Sequence, residues 1–396
     1  MDLSPRFRLV TVLLLWCAGL AAAAQFSKIA VPFDLVQAAF PQAGTRIGWL
    51  LTLISATGAL LGMVAGTLVG RLGCERILLL SLLVGAASSL WQSTLPDLPV
   101  MMASRLIEGL SHLGIVVATP TLIAEISTDR MRGAAMSLWS SFFGVAFAVT
   151  AWLGYPLAST HGLSALFTAH GLFMAALVAI LFFILRRTTP ARTAPATALS
   201  LGLILTQHRV AFRSPYIAAP AIGWLFYTLT FVSLLTILPG LFPPDTRSTV
   251  TGLMPLASIA VSLLIVPLLL SRVPAVSVVM LGFVLSVLTL ALLILGVPVA
   301  IVAIALFGVL GLVQGASFAA VPQLNGSVET RALANGAMAQ MGNIGNLLGT
   351  PLLLALLTFT GIEAAFAAIA GLYLVGAILH RLFAIQRKRT GTFQGP

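Results

Sequence analysis

The chain has 396 residues, of which 59% are hydrophobic and 8% charged, and its mean hydropathy is +1.08. Soluble globular chains carry roughly a quarter charged residues, so this composition excludes a soluble protein and indicates one built for lipid. The net charge of +11 would suit a nucleic-acid-binding protein, but the placement of the basic residues excludes that class.

Apolar runs long enough to cross a bilayer recur along the whole chain. A hydrocarbon core about 30 Å thick needs about 20 apolar residues per helix. The predicted spans are residues 9–31, 46–70, 77–95, 98–122, 133–157, 163–186, 215–241, 249–270, 274–296, 298–322, 333–358 and 362–385. We therefore predict an all-α membrane protein with twelve transmembrane helices.

The basic residues follow the loops of one side of the predicted membrane. If the N-terminus is cytoplasmic, Lys28, Arg46 and Arg247 lie at the outer side and Arg105 lies within the membrane. All other Lys and Arg residues then lie on the inner side. This distribution satisfies the positive-inside rule with both termini in the cytoplasm, so we expect the partner to be a lipid bilayer and not a nucleic acid.

The N-terminus has an alternative interpretation. Arg6 and Arg8, followed by LVTVLLLWCAGLAAAAQ, are similar to a secretory signal with an Ala-rich cleavage site. Cleavage would leave eleven helices and place the basic loops on the wrong side, so we predict an uncleaved first helix. Cys17 and Cys74 lie far apart in the sequence and predict neither a disulfide nor a metal site.

A polar break divides the chain into two halves. RRTTPARTAPATALS, residues 186–200, is rich in Pro, Thr, Ala and Arg, as is typical of a cytoplasmic linker, and the polar segment QHRVAFRS, 207–214, follows it. We predict one six-helix bundle over residues 1–186, a linker over 187–214, and a second six-helix bundle with a short cytoplasmic tail over 215–396.

The two halves also resemble each other in their motifs. Glu108-Gly109 precedes TDRMRGAAMS in the first half, and Gln314-Gly315 precedes ETRALANGAMAQ in the second. A polar residue with Gly, then an acid, an arginine and a Gly-Ala segment, therefore recurs at similar separation. Pseudo-symmetric repeats of this kind place a transport site near the middle of the membrane.

Three stretches resemble motifs of the major facilitator superfamily. GTLVGRLGCERILLL, 66–80, resembles the family's loop motif between the second and third helices; RLIEG, 105–109, resembles its fourth-helix motif; IAVP, 29–32, resembles the end of its first helix. The resemblance covers chain length, helix count and repeat layout. It implies a secondary transporter of bacterial type in the inner membrane, working by alternating access without ATP, cofactor or metal. We expect a monomer.

The chain departs from the family pattern at two motifs. The loop motif normally has Asp where this chain has Gly70, so the charge latch of the family is only partly available, through Arg71 and Arg76. The fifth-helix glycine–proline signature typical of drug antiporters is reduced to Gly144 and Ala148. The second departure weakens a multidrug-efflux interpretation.

Three ionisable residues lie within the fourth predicted helix. Arg105, Glu108 and His112 are spaced i, i+3 and i+7 and share one helix face within about 60°. They span roughly 10 Å of depth near the middle of the bilayer, where an unpaired charge costs about 3–10 kcal/mol. They form either a buried clamp beside a core histidine or a proton-coupling cluster. We expect proton coupling, because histidine titrates near neutral pH, with Glu108 carrying the proton, Arg105 tuning its affinity and His112 relaying it.

Polar residues in other helices predict the substrate site. Gln25 and Lys28 lie near the end of the first helix, where Lys28 either extends to the headgroups or contacts substrate. The C-terminal half offers amides and aromatics, namely Trp224, Tyr227, Gln314, Gln340, Asn343 and Asn346. Buried amides need partners, which are other helices or a polar substrate.

We expect a small, neutral or weakly anionic organic solute, such as the vitamin riboflavin or another aromatic metabolite; the alternative is efflux of drugs or metabolites.

Glycines at regular spacing mark two helix faces. They are Gly58, Gly62, Gly66 and Gly70 on the second predicted helix, and Gly342, Gly345 and Gly349 on the eleventh. Small residues let membrane helices approach closely. We assign these glycines, with Arg71 and Arg76, to gating and packing: the faces serve either static packing or a contact that slides during alternating access.

An intramembrane enzyme is a remote alternative. Ser111 and His112 are adjacent on a helix and point about 100° apart, so they cannot form a nucleophile–base pair. The sequence contains no HExxH, CxxC or phosphate-loop motif. We therefore predict a transporter with no catalytic residues.

Overall fold

The computed structural model describes residues 4–128, 131, 135, 138–139, 141–186, 201–326 and 328–390. The first half of the predicted linker, residues 187–200, lies outside this part of the chain. So do Arg130, Arg132, Arg187 and Arg192, which contributed to the predicted topology.

The N-terminal half of the described chain is helical. Its α-helices are α1 (Pro5–Ala30), α2 (Phe33–Ala39), α3 (Gly48–Thr52), α4 (Ile54–Leu72), α5 (Cys74–Gln92), α6 (Leu98–Ile126), α7 (Phe142–Val149), α8 (Tyr155–His161) and α9 (Leu163–Leu185). A 3₁₀ segment, Pro41–Ile47, precedes α3, and a π-helical turn, Thr150–Gly154, joins α7 to α8.

The C-terminal half of the described chain is also helical. Its α-helices are α10 (Leu201–Arg213), α11 (Ala218–Ile237), α12 (Pro244–Ala260), α13 (Val266–Leu270), α14 (Ala275–Ala291), α15 (Val299–Leu324), α16 (Val328–Thr360) and α17 (Ile362–Thr390). A 3₁₀ turn, Leu238–Leu241, follows α11, and a π-helical turn, Val261–Ile265, joins α12 to α13.

The described residues contain eleven helices long and apolar enough to cross a membrane, and α14 is a shorter apolar helix. They contain no strand. The predicted fold class, an all-α protein of twelve transmembrane helices, is confirmed in this respect. In the fifth span, predicted over 133–157, the described apolar helix runs from Phe142 to His161, and most of residues 129–140 lie outside the described part of the chain.

The ends of α6, which carries the ionisable residues, follow from local chemistry. The Asp97 side chain caps the helix by accepting a hydrogen bond from the Val100 backbone N–H at 3.2 Å, and a proline in the first turn has no N–H to satisfy. The helix continues through Pro120 to Ile126, beyond the predicted end at residue 122. Membrane helices tolerate an internal proline because neighbouring groups satisfy the freed backbone.

The latter part of the predicted linker is helix α10. Its apolar and polar residues alternate at helical spacing, with Leu205 61% exposed and Ala211 fully buried. That pattern is typical of an amphipathic helix. The polar residues of QHRVAFRS up to Arg213 therefore belong to a helix that begins at Leu201.

The chain divides into two compact units. Unit 1 consists of Met1–Gly58 with Val64–Ala198, and unit 2 of Ala59–Met63 with Leu199–Pro396. The domain boundaries drawn from the sequence stay predictions. In unit 1, helices α1, α5, α6 and α9 enclose an apolar core that includes Leu15, Leu82, Ile115, Met174 and Leu177.

Candidate functional site

A buried charge cluster lies among α1, α5, α6 and α9 of unit 1. Its three charged members are Lys28 from α1 and Arg105 and Glu108 from α6, which are 1%, 0% and 0% exposed. We call these three residues the charge cluster. Isolated charges inside a protein cost several kcal/mol each unless they are paired and hydrogen-bonded, so their partners decide what the cluster can do.

The Glu108 carboxylate accepts hydrogen bonds from three side chains. Lys28 Nζ lies 2.7 Å from Oε1. Arg105 Nη1 forms an ion pair with Oε2, to which Gln92 Nε2 also donates at 2.8 Å. Both carboxylate oxygens are therefore satisfied by donors, and two of those donors are cations.

The Arg105 guanidinium is held in place by backbone carbonyls as well. Its Nε donates to the carbonyl of Leu50 at 2.7 Å, and Nη2 donates to the carbonyl of Gln25 at 2.8 Å. The planar guanidinium thus ties α6 to α1 and to α3 through fixed directions that a lysine could not provide.

The Lys28 ammonium has three polar neighbours. Besides Glu108 Oε1, they are Ser89 Oγ at 2.8 Å and His170 Nδ1 at 3.4 Å. The Phe167 ring lies 5.4 Å from Nζ, within range of a cation–π contact. Each of the three ammonium hydrogens has one acceptor.

The hydrogen bonds of His170 assign its tautomer. Nε2 lies 2.9 Å from the carbonyl oxygen of Ala21, and a carbonyl only accepts, so Nε2 carries the hydrogen. Lys28 Nζ can only donate, so Nδ1, 3.4 Å away, presents its lone pair to the ammonium. The Ser89 hydroxyl hydrogen-bonds the Phe167 carbonyl at 2.9 Å. His170 is therefore neutral here and 6% exposed.

The charges of the cluster do not balance. Lys28 and Arg105 contribute two positive charges and Glu108 one negative charge, which leaves a net charge of +1 with His170 neutral. Buried ion pairs stabilise a protein only when geometry and charge are well matched. The excess charge makes the energy of the cluster sensitive to the number of protons it holds.

Unit 2 contains a separate aromatic and amide group. Trp224 stacks on Tyr227 with ring centroids 4.5 Å apart, and Tyr227 stacks on Phe231 at 5.0 Å. The Tyr227 hydroxyl donates to Gln314 Oε1 at 3.1 Å, and the Ser258 hydroxyl donates to the same oxygen at 2.9 Å. The Gln314 amide oxygen is thereby saturated, while its amide nitrogen donates to no described residue.

The chain matches the family model of the Major Facilitator Superfamily over residues 14–324. It belongs to the Major Facilitator Superfamily. This membership confirms the predicted family and a multi-pass membrane transporter in place of an enzyme. The orientation of the termini and the membrane in which the chain resides stay predictions.

Two proteins are similar to this chain in structure or in sequence. The crystal structure of the human organic anion transporter MFSD10 (TETRAN) superposes with a TM-score of 0.71 at 18% identity and covers 96% of this chain and 100% of that one. That likeness shows the fold. Multidrug resistance protein 1 of Bacillus subtilis (strain 168) is 26% identical over 139 residues, 35% of this chain. The chain thus matches only about a third of that relative, 36% of its length.

The structure brings together two of the three residues predicted for proton coupling. Arg105 pairs with Glu108, as their spacing predicts. His112 instead has its Nδ1 3.1 Å from the carbonyl of Ala22 and its ring edge-on to Phe26. Among the described residues it makes no hydrogen bond to Glu108, and its relay role stays a prediction.

Lys28 and Gln25 were predicted at the substrate site, and the structure places both in buried hydrogen bonds within unit 1. Lys28 is buried in the charge cluster, in contact with neither headgroups nor a surface. Gln25 Nε2 donates to Ser111 Oγ at 2.8 Å, and its Oε1 has no partner in the described part of the chain. Gly85 lets α5 approach here, since a Cβ would lie 2.7 Å from Gln25 Nε2.

Sequence reasoning missed Ser89, Gln92 and His170 as members of this site. Gln92 ends α5, and His170 lies in the middle of α9, a strongly apolar helix. A lone histidine inside such a run was the available signal, because an ionisable residue within a membrane span is a functional candidate by default. Ser89 gave no comparable signal, since serine is common in membrane helices.

The three predicted amides of α16 are placed differently from one another. The Gln340 amide nitrogen donates to a backbone carbonyl at 2.9 Å. Asn343 Nδ2 donates to the Ala339 carbonyl one turn earlier in the same helix. Asn346 Oδ1 is buried with no partner among the described residues, as is Gln340 Oε1. Two amide oxygens of this helix are therefore left for a ligand or water to satisfy.

The glycines of α16 support close packing against α11. A Cβ at Gly345 would lie 2.8 Å from the Leu225 carbonyl oxygen, and one at Gly349 would lie 2.6 Å from Ser233 Oγ. Both distances are too short for a side chain, so these glycines allow the two helices to touch. Beside them, a Cβ at Gly342 would lie 2.6 Å from Trp224 Nε1.

The glycines predicted on the second span lie on α4. They are Gly58, Gly62, Gly66 and Gly70. Gly62 is buried, and a Cβ there would lie 3.1 Å from backbone, which is tight but not impossible. The side chains of residues 66–72, Arg71 included, lie outside the described part, while Arg76 is exposed near the start of α5. The gating role of this set stays a prediction.

Proposed function

We propose that this member of the Major Facilitator Superfamily is a proton-coupled secondary transporter that moves a small polar organic solute by alternating access. The observation that carries the proton coupling is the charge cluster of Lys28, Arg105 and Glu108. These residues are fully buried within membrane-spanning helices and carry an unbalanced charge. A cluster built for packing alone would gain more from matched charges or from apolar side chains of similar volume.

The excess charge links proton binding to conformation. When the cluster is dry, a net charge of +1 is costly, because low dielectric penalises unpaired charge. When water reaches the cluster, hydration lowers the free-energy cost of the same charge. A state that hydrates the cluster therefore favours the protonated form, and a state that buries it favours loss of one proton. The cluster therefore binds a proton in one state and releases it in the other. Proton binding in turn shifts the equilibrium between the two states, because a ligand favours the state that binds it more tightly.

We assign solute recognition to the aromatic and amide group of unit 2. Trp224 is half-buried at the end of the stack it forms with the buried Tyr227 and Phe231, and its ring is a flat apolar face on which a planar solute can stack. Asn346 Oδ1 and Gln340 Oε1 are buried acceptors without a donor among the described residues. This chemistry fits a planar polar solute such as a vitamin like riboflavin, a nucleobase or an aromatic metabolite.

Efflux of drugs or metabolites is the second candidate function. The similarity to multidrug resistance protein 1 of Bacillus subtilis motivates it, although the match covers 36% of that protein. The excess positive charge of the cluster disfavours a lipophilic cation as substrate. Transport assays in vesicles of both orientations separate the two: an inward proton gradient drives accumulation of solute by an uptake symporter and extrusion of solute by an efflux antiporter.

The experiment starts with a thermal-shift screen of purified protein against metabolites and drugs. A substrate at 100 times its Kd stabilises the folded state by about 2.7 kcal/mol. The best stabiliser is then tested in proteoliposomes with an imposed pH gradient, with the membrane potential clamped by potassium and valinomycin. We expect accumulation that depends on the pH gradient and disappears with a protonophore. Equal accumulation with and without the gradient would refute proton coupling.

A further inference from the structure

We propose that Lys28, and not Glu108, is the residue that releases the coupling proton, and that His170 Nδ1 is the atom that receives it. This inference rests on the proton-coupled transport proposed above. It moves the exchanged proton from the carboxyl group predicted from the sequence to an amine on a different helix.

The surroundings of Glu108 oppose protonation of its carboxylate. Oε1 accepts from Lys28 at 2.7 Å, and Oε2 accepts from Arg105 and from Gln92 at 2.8 Å. A proton on either oxygen would displace one of these donors. It would also raise the net charge of the buried cluster from +1 to +2, with two cations left facing a neutral acid.

Loss of a proton from Lys28 has the opposite effect on the cluster. The net charge falls from +1 to zero, and the ion pair between Arg105 and Glu108 remains intact. The neutral amine still has two hydrogens, which can donate to Glu108 Oε1 at 2.7 Å and Ser89 Oγ at 2.8 Å. Arg105 cannot make this change, because a guanidinium is not deprotonated in proteins.

The third hydrogen of the Lys28 ammonium faces His170 Nδ1 at 3.4 Å. In the transfer, the Nζ–H bond breaks and an N–H bond forms at Nδ1, so that the ammonium becomes an amine and the imidazole an imidazolium. The charge of the group as a whole is unchanged in this step. The imidazolium can donate from Nδ1 to Ser89 Oγ, 2.9 Å away, and from Nε2 to the Ala21 carbonyl. Water that contacts His170 then takes the proton as the cluster passes from the hydrated to the buried state.

No other described ionisable side chain faces Lys28. Helix α6 presents Arg105 and Glu108, and α9 presents His170. Helix α5 presents the neutral Ser89 and Gln92, while α7 contains no titratable residue. The remaining buried histidine of this unit, His112, hydrogen-bonds the Ala22 carbonyl. Among the described residues around Lys28, His170 is therefore the one neutral base that can take its proton.

The sequence makes Lys28 directly observable, because Lys28 and Lys388 are its two lysines. Lys388 is exposed near the end of α17, and Lys388→Arg leaves Lys28 as the sole lysine while serving as the transport control. The side-chain nitrogen can be labelled with ε-¹⁵N-lysine and followed by NMR in lipid nanodiscs across a pH series. We expect the Lys28 signal to change from ammonium to amine over the pH range in which transport varies. A signal that stays ammonium through that whole range overturns the proposal.

Transport variants supply the second readout. Lys28→Arg fixes the positive charge and Lys28→Gln removes it, so neither can cycle a proton. Both should lose accumulation driven by a pH gradient down to the level of empty liposomes, while exchange of labelled for unlabelled solute stays measurable. His170→Asn should lose the same accumulation and keep Lys28 as ammonium to higher pH. His161→Asn, at an exposed histidine of α8, is its matched control.

The outcomes distinguish failure of proton-coupled transport from failure of the roles assigned to Lys28 and His170. If wild-type protein ignores the pH gradient, the proposed function fails. If wild type responds and Lys28→Gln also accumulates solute on the gradient, proton coupling stands and the assignment to Lys28 is wrong. If Lys28→Arg does not fold by gel filtration, Lys28→Gln and the NMR titration of the Lys388→Arg protein decide. Accumulation by His170→Asn at the wild-type level would overturn the role of His170.

Discussion

Glu108→Gln tests whether the charge cluster behaves as one electrostatic unit. The substitution keeps the size of the side chain but removes the negative charge that pairs with both Lys28 and Arg105. The glutamine amide also places a donor where the carboxylate accepted from a cation. The net charge of the buried cluster rises from +1 to +2, so we expect a large loss of stability.

The magnitude follows from the burial of all three side chains, which are 0–1% exposed. Removing one partner of a buried ion pair costs about 3–5 kcal/mol, because the other charge is left uncompensated. For a folding unit of about 150–250 residues, each kcal/mol lowers Tm by about 2–4 °C. The unfolding midpoint of Glu108→Gln should therefore fall by roughly 6–20 °C.

A double-mutant cycle separates this effect from a simple packing defect. Lys28→Gln leaves Arg105 paired with Glu108 and brings the net charge to zero, so it should cost less than Glu108→Gln. The double variant returns the net charge to +1. Its cost should fall short of the sum of the two single costs by about 0.5–3 kcal/mol, as for residues in one ion-pair network.

The assay is thermal unfolding in detergent, followed by fluorescence, for wild type, the two single variants and the double variant. Glu363→Gln is the matched control, since Glu363 is an exposed carboxylate in the first turn of α17. A Glu108→Gln protein that unfolds at the wild-type temperature refutes the reasoning. So do single-variant costs that add within error in the double variant.

Three further predictions concern topology, helix packing and solute recognition. Reporter fusions after Gln207 and after Arg389 should both read cytoplasmic, and an extracellular signal at either site would overturn the topology drawn from the basic residues. Gly345→Ala should destabilise unit 2 by about 1–3 kcal/mol in thermal unfolding, because the new Cβ would lie within 2.9 Å of α11 backbone atoms; an unchanged midpoint would show that α16 does not pack there as described. Tyr227→Phe removes one hydrogen bond to the partly buried Gln314 amide at a cost of about 0.5–1.5 kcal/mol. In the transport assay we expect a higher KM with a similar maximal rate, and an unchanged KM would remove Tyr227 from the solute site.

Much of the fold could be predicted because the bilayer acts as a uniform solvent. A hydrocarbon core requires about 20 apolar residues and internal backbone hydrogen bonding in every span, and both demands are visible along the chain. The start of α6 at Leu98, after the Asp97 cap, was predicted to the residue.

Within the site, the sequence by itself determined the pair of Arg105 and Glu108. Their three-residue separation places them on one helix face, since helical periodicity is a local property, and the ion pair is present. Only the tertiary structure decided that Lys28, 80 residues away, completes the cluster and that His170, 142 residues from Lys28, faces its ammonium. The rotation of each helix about its axis sets those neighbours, and it is fixed by packing among α1, α5, α6 and α9. Hydrophobic helices with nearly uniform faces carry too weak a pattern for that rotation to be read from the chain.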